Sequence, residues 1–193
     1  GMIVMIPWSK EMAQKNIDHT VIPNLISAFK ALKNLEGVDQ NRLGVGGFCV
    51  GASLVTVAAA NPQISEDVKF INFFGGYYNA LDLIVAISSE KSFYDQTIQS
   101  WNPDKLTKEV FTNELISTIS NETDQDILKN IFLTDTIIQN EYEILNSNEA
   151  KIIYNLLNAP TLEQAKDLVQ QLPISSKKQL ESTNTIGIHK MYL

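Results

Sequence analysis

One pentapeptide, Gly47-Phe48-Cys49-Val50-Gly51, constrains this chain more than any other feature. A short apolar run, Arg42-Leu43-Gly44-Val45-Gly46, leads into it, and a run of small residues, Ala52 to Ala60, leads out. Strand, sharp turn, helix is the layout of a nucleophile elbow, which lifts one reactive side chain to the top of a sheet. Gly47 and Gly51 would let the backbone take a tight, strained turn and let strand and helix pack closely. The rival reading of Cys49 is a small buried hydrophobe, a common fate of a free cysteine.

The rest of the first 85 residues agrees with that layout. Ile3-Val4-Met5-Ile6, stopped by Pro7, suits a buried parallel strand. Ile17, Val21, Leu25, Ala28, Leu32 and Leu35 recur at helical spacing, with Gly37 as a C-cap. Leu43-Gly44-Val45 is the next strand, Ala52 to Ala60 the next helix, and Val68 to Phe74 a third strand ended by Gly75-Gly76. These spacings predict an α/β fold, a small parallel sheet of three to four strands flanked by helices.

Beyond Ile84 the texture changes. No glycine occurs between Gly76 and Gly187. Asn102-Pro103 reads as a cap with proline at the first helical position. Thr161 to Gln164 and Ser176 to Gln179 both match capping-box spacing. Asp126 to Leu145 is a long apolar-periodic run. An all-α insertion over residues 86–182 is expected, between a core of residues 2–85 and a final core strand at 183–193.

With the turn so placed, the chain resembles the α/β-hydrolase superfamily, in particular its dienelactone-hydrolase-like branch, which carries cysteine where most relatives carry serine. Residues 38–53 look like that family's approach to its nucleophile, and Asn72 to Tyr78 like its following strand and loop. The resemblance implies hydrolysis of an ester, thioester or lactone, with no cofactor. It makes Cys49 the nucleophile and the Val50 backbone N–H an oxyanion donor. The helical block would be a cap.

The same resemblance exposes a gap. Nucleophilic catalysis needs a base to take the proton and a third group to orient it. Neither the family's acid nor its histidine has a match here. His19 lies before the elbow and His189 near the start of the final strand, whereas such sites gather at strand C-terminal ends. Both read as structural or surface residues. Gly1 reads as a cleavage scar before Met2, and the chain reads as truncated at both ends. The family strand that should lie between Ile3-Ile6 and the elbow strand is missing. Ile3-Ile6 is therefore expected to pair directly beside Leu43-Gly46, with strand exchange in a homodimer as the alternative closure.

Other residues have two readings each. Phe48, Tyr77 and Tyr78 could bind substrate, or the tyrosines could pack against the cap. Asp82 and Asp95 could line a pocket over Cys49, or be solvated loop acids. Trp8 and Trp101 read as core or cap-interface residues. No set has metal-ligand spacing, and no phosphate loop is present. A net charge of −7 with no basic cluster argues against nucleic acid. No stretch suits a membrane span, and a single cysteine fits a reducing cytoplasm. Three functions follow. One is a hydrolase-like protein with little or no activity. The second is a binding module worked by the helical block, with Cys49 idle or redox-sensitive. The third is an active thiol hydrolase completed by another chain.

Overall fold

The computed structural model describes residues 1–15, 19–134 and 136–185. The chain divides into two compact units, Gly1–Asn79 with Ser182–Leu193, and Ala80–Glu181.

In the first unit a short helix, α1 (Lys10–Ala13), is capped by Ser9, whose hydroxyl accepts from the Met12 N–H at 3.3 Å. α2 (Ile22–Lys33) has proline in its first turn, where the missing N–H costs nothing. Its Ile26 and Phe29 are buried with Leu43, Ala58 and Ile64, and Leu25, Leu32, Val45 and Val68 pack around them. The helical period thus places one apolar stripe on the core. β1 (Gly44–Phe48) pairs in parallel with β2 (Phe70–Phe74), from Gly44 opposite Phe70 to Phe48 opposite Phe74. The crossover between them is α3 (Val50–Ala59). Lys33 and Asp67, 2.7 Å apart, join the end of α2 to the segment before β2.

The mixed α/β character holds, but this sheet has two strands among the described residues, not three or four. Residues 1–9 form neither helix nor strand, and Ile3, Val4 and Ile6 are exposed. An apolar run becomes a strand only where its N–H and C=O groups meet a neighbouring edge, and within one chain Ile3-Ile6 meets none. Trp8 is likewise exposed rather than in the core. α2 stops at Lys33, and Gly37, at φ +84°, turns the chain beyond it rather than capping the helix directly. Ile17, His189 and residues 186–193 of the expected final strand lie outside the described residues, and the described start of that stretch, residues 183–185, forms no strand.

The second unit begins with α4 (Ala80–Ser89), whose Ile84, Val85 and Ile87 are buried. A hairpin follows, β3 (Lys91–Tyr94) antiparallel to β4 (Thr97–Ser100). This corrects the all-α expectation. Asp95 opens the two-residue turn at φ +52°, a conformation the sequence advertises poorly without glycine. The Trp101 N–H donates to the Glu90 carbonyl at 2.9 Å beside the hairpin, and Trp101 is half-buried.

Five further helices are α5 (Lys105–Ser117), α6 (Glu122–Leu133), α7 (Asn148–Leu157), α8 (Leu162–Gln171) and α9 (Ile174–Glu181). α4 packs against α8 and α9, α5 against α6, and α7 against α8. Asp104, not Asn102, caps α5, taking the Thr107 N–H at 3.0 Å. Thr161 caps α8 as its spacing foretells. Ser176 caps nothing: it is buried inside α9, donating to Glu149 at 2.9 Å. The run from Asp126 to Leu145 is helical only as far as Leu133. Beyond it, buried Asp124 holds the chain, accepting from the Asn146 N–H and the Ser147 N–H, both at 2.8 Å.

Candidate active site

Cys49 sits between the end of β1 and the start of α3 with φ +53° and ψ −134°. A side-chain-bearing residue rarely adopts such a backbone, and it persists only where its surroundings over-determine it. Those surroundings are on both sides. The Cys49 N–H donates to the Phe74 carbonyl at 2.9 Å, which carries the ladder one step past β1. Its carbonyl accepts from the Ala52 N–H at 2.9 Å, starting the helix. Gly75, at φ +67°, turns the chain away from β2 immediately beside Cys49.

The two glycines of the pentapeptide differ. A Cβ on Gly47 would lie 2.5 Å from the Gly51 carbonyl carbon and 2.6 Å from the Ala52 nitrogen, so the first turn of α3 rests on the bare Gly47 backbone. A Cβ on Gly51 would meet nothing within 4 Å. Gly51 is therefore not needed for close packing, contrary to the sequence expectation.

The thiol is exposed, which removes the buried-hydrophobe reading. Among the described residues no side chain hydrogen-bonds it. Val50 is buried and occupies the first turn of α3, where a helix provides no carbonyl for its N–H groups. Phe48 and Phe74 are register partners whose rings meet edge to face, centroids 5.7 Å apart, and both are largely exposed.

Tyr77 and Tyr78 part company. Tyr77 is buried, and its hydroxyl donates to Thr183 at 2.6 Å. Its N–H donates to Ser53 Oγ at 2.9 Å, and its carbonyl accepts from Ser53 at 2.9 Å and Thr185 at 3.1 Å. Those bonds make it a bolt behind the elbow, which is packing rather than substrate contact. Tyr78 is half-exposed, and its carbonyl accepts from the Thr185 N–H at 3.2 Å. Sequence reasoning missed Ser53, Thr183 and Thr185. A hydroxyl at Ser53, buried in a largely apolar helix, was the available signal.

His19 is exposed in a single 3-10 turn, His19–Val21. Asp82 lies in the first turn of α4 and Asp95 at the hairpin turn, both in the second unit, whereas Cys49 is in the first. Just before β1, Asp39 takes the Asn41 N–H and the Arg42 guanidinium, which hold its carboxyl below the usual range. No group of three His, Cys, Asp or Glu among the described residues is placed to hold a metal.

Residues 7–100 match the model of the dienelactone hydrolase family. That is just under half the chain, and it runs through the elbow, β2 and the hairpin. The dienelactone-hydrolase resemblance therefore holds over the segment that carries Cys49, and the fold there is hydrolase-like. Among curated proteins and among solved structures, none matches the chain. No helix among the described residues is long and apolar enough to cross a membrane.

Proposed function

We propose that Cys49 is a thiol nucleophile that accepts an acyl group from an ester, thioester or lactone, in a protein that turns over slowly or not at all. The observation that carries this reading is the backbone of Cys49, strained at φ +53° and ψ −134° between a strand and a helix, with its thiol in solvent. Strain of this kind is held at reacting positions.

The chemistry follows from the geometry. The sulfur bonds to the acyl carbon, the thiol proton goes to solvent, and the carbonyl electron pair moves onto oxygen. That oxyanion faces the Val50 N–H and the positive end of α3, both of which favour negative charge. Collapse expels the alkoxide, phenolate or thiolate and leaves a thioester on Cys49. Releasing that acyl group needs an activated water. The family's acid and histidine have no counterpart hydrogen-bonded to Cys49 among the described residues, so acylation is expected to outrun deacylation. Phe48 and Tyr78 remain the substrate contacts of this reading.

The test is p-nitrophenyl acetate with product release and intact mass read together. One equivalent of nitrophenolate per chain, one acetyl group on Cys49, and loss of both in Cys49→Ala are expected. Many turnovers that disappear in Cys49→Ala would show a complete catalytic set and refute the slow step. An unacylated Cys49 that also reacts sluggishly with iodoacetamide would refute the nucleophile.

A further inference from the structure

We propose that the chain forms a homodimer by reciprocal exchange, with residues 2–6 of each copy lying along the free edge of β1 in the other as a third strand. This is independent of the chemistry of Cys49. β1 is paired only with β2 among the described residues, so the outward N–H and C=O groups of Gly44 to Phe48 form an open edge. Such an edge is a template for another strand. Parallel sheets, moreover, are almost always buried rather than left two strands wide.

The occupant is present in the same sequence. Ile3, Val4 and Ile6 are 50%, 63% and 82% exposed, in a segment that forms no strand within its own chain. Neither residues 1–9 nor residues 43–48 carry an ionisable side chain. Two copies of a chain with net charge −7 repel each other, so an uncharged contact is the one they can best tolerate. Three of the five β1 residues are glycine, which lets a neighbouring backbone approach without side-chain obstruction.

Topology selects this edge over that of β2. α2 and α3 pack together, and both contribute to the core cluster that includes Leu43 and Val45. The two helices therefore cover one face of the sheet. A right-handed crossover through α2 places a strand preceding it on the side of β1 away from β2. Within one chain, residues 2–6 form no strand and β1 pairs only with β2 among the described residues, so segment and edge are not paired. A second copy can supply the same strand at the same position, which is how exchange dimers preserve the contacts of a closed monomer.

Sedimentation or light scattering across micromolar concentrations tests this, in a Cys49→Ser background that excludes disulfide dimers. The expected result is a dimer that becomes a monomer when residues 2–6 are deleted. Because that segment is exposed in the single chain, its loss leaves the core cluster intact, which circular dichroism checks. Val4→Asp should weaken the dimer by about tenfold or more, since it buries a charge in an apolar strand. A monomer at every concentration, or a dimer whose stability is unchanged by both variants, overturns the proposal.

Discussion

Replacing Gly47 and Gly51 in turn by alanine gives opposite results. At Gly47 the added methyl would stand 2.5 Å from one backbone atom of α3 and 2.6 Å from another. Both distances are well inside contact range, and the obstacle is main chain, which cannot rotate aside as a side chain would. The first turn of α3 must move off β1, and overpacking of this kind costs about 1–3 kcal/mol. For a unit of this size, each kcal/mol lowers the melting temperature by about 4–8 °C, so a fall of about 5–20 °C is expected. At Gly51 the methyl meets nothing within 4 Å and the position is already helical. Alanine there loses less chain entropy on folding and should stabilise by about 0.5 kcal/mol. Calorimetry of the two variants, with iodoacetamide labelling of Cys49 alongside, reads both effects. Gly47→Ala melting with the parent, or Gly51→Ala melting as low as Gly47→Ala, would refute the claim that close packing needs a glycine at 47 and not at 51.

Two further predictions follow from strain and charge. Cys49→Gly removes a side chain from a φ of +53° and should stabilise the protein by about 1 kcal/mol while abolishing labelling; denaturant unfolding that shows a loss would mean the turn is unstrained. Burial alone would raise the carboxyl of Asp124, but the N–H groups of Asn146 and Ser147 more than offset this and hold it below its ordinary 3.8. A depressed folded-state value means that its stabilisation is complete above about pH 4 and is lost as pH falls through the lower folded value. Asp124→Asn should therefore destabilise the protein at neutral pH and flatten its acid limb. An unchanged acid limb in a pH series of melting temperatures would refute it.

The legible parts of this molecule were those fixed by local chemistry. Gly-Phe-Cys-Val-Gly announced its strand–turn–helix because few sequences tolerate that bend, and Thr161 announced α8 because a cap acts over three residues. What escaped depended on partners remote in sequence. Ile3-Ile6 has strand composition, yet whether it is a strand depends on an edge more than thirty residues away. Ser176 has cap spacing, but the demand it meets is that of Glu149 on α7. The hairpin around Asp95 lacks the glycine that usually marks such turns. At the candidate site, Cys49 was visible and the bolt of Ser53, Tyr77, Thr183 and Thr185 was not, since its members are up to 132 positions apart along the chain and adjacent only after folding.

That bolt has a consequence for how the protein is made. Tyr77 and Tyr78 emerge from the ribosome long before Thr183 and Thr185, and every residue of the second unit is synthesised in between. The loop that steadies Cys49 thus waits, half-fastened, until the whole second unit has been made. Throughout that interval the growing chain carries an exposed sulfur and bare aromatic strand residues, the stage at which a nascent polypeptide most needs a chaperone.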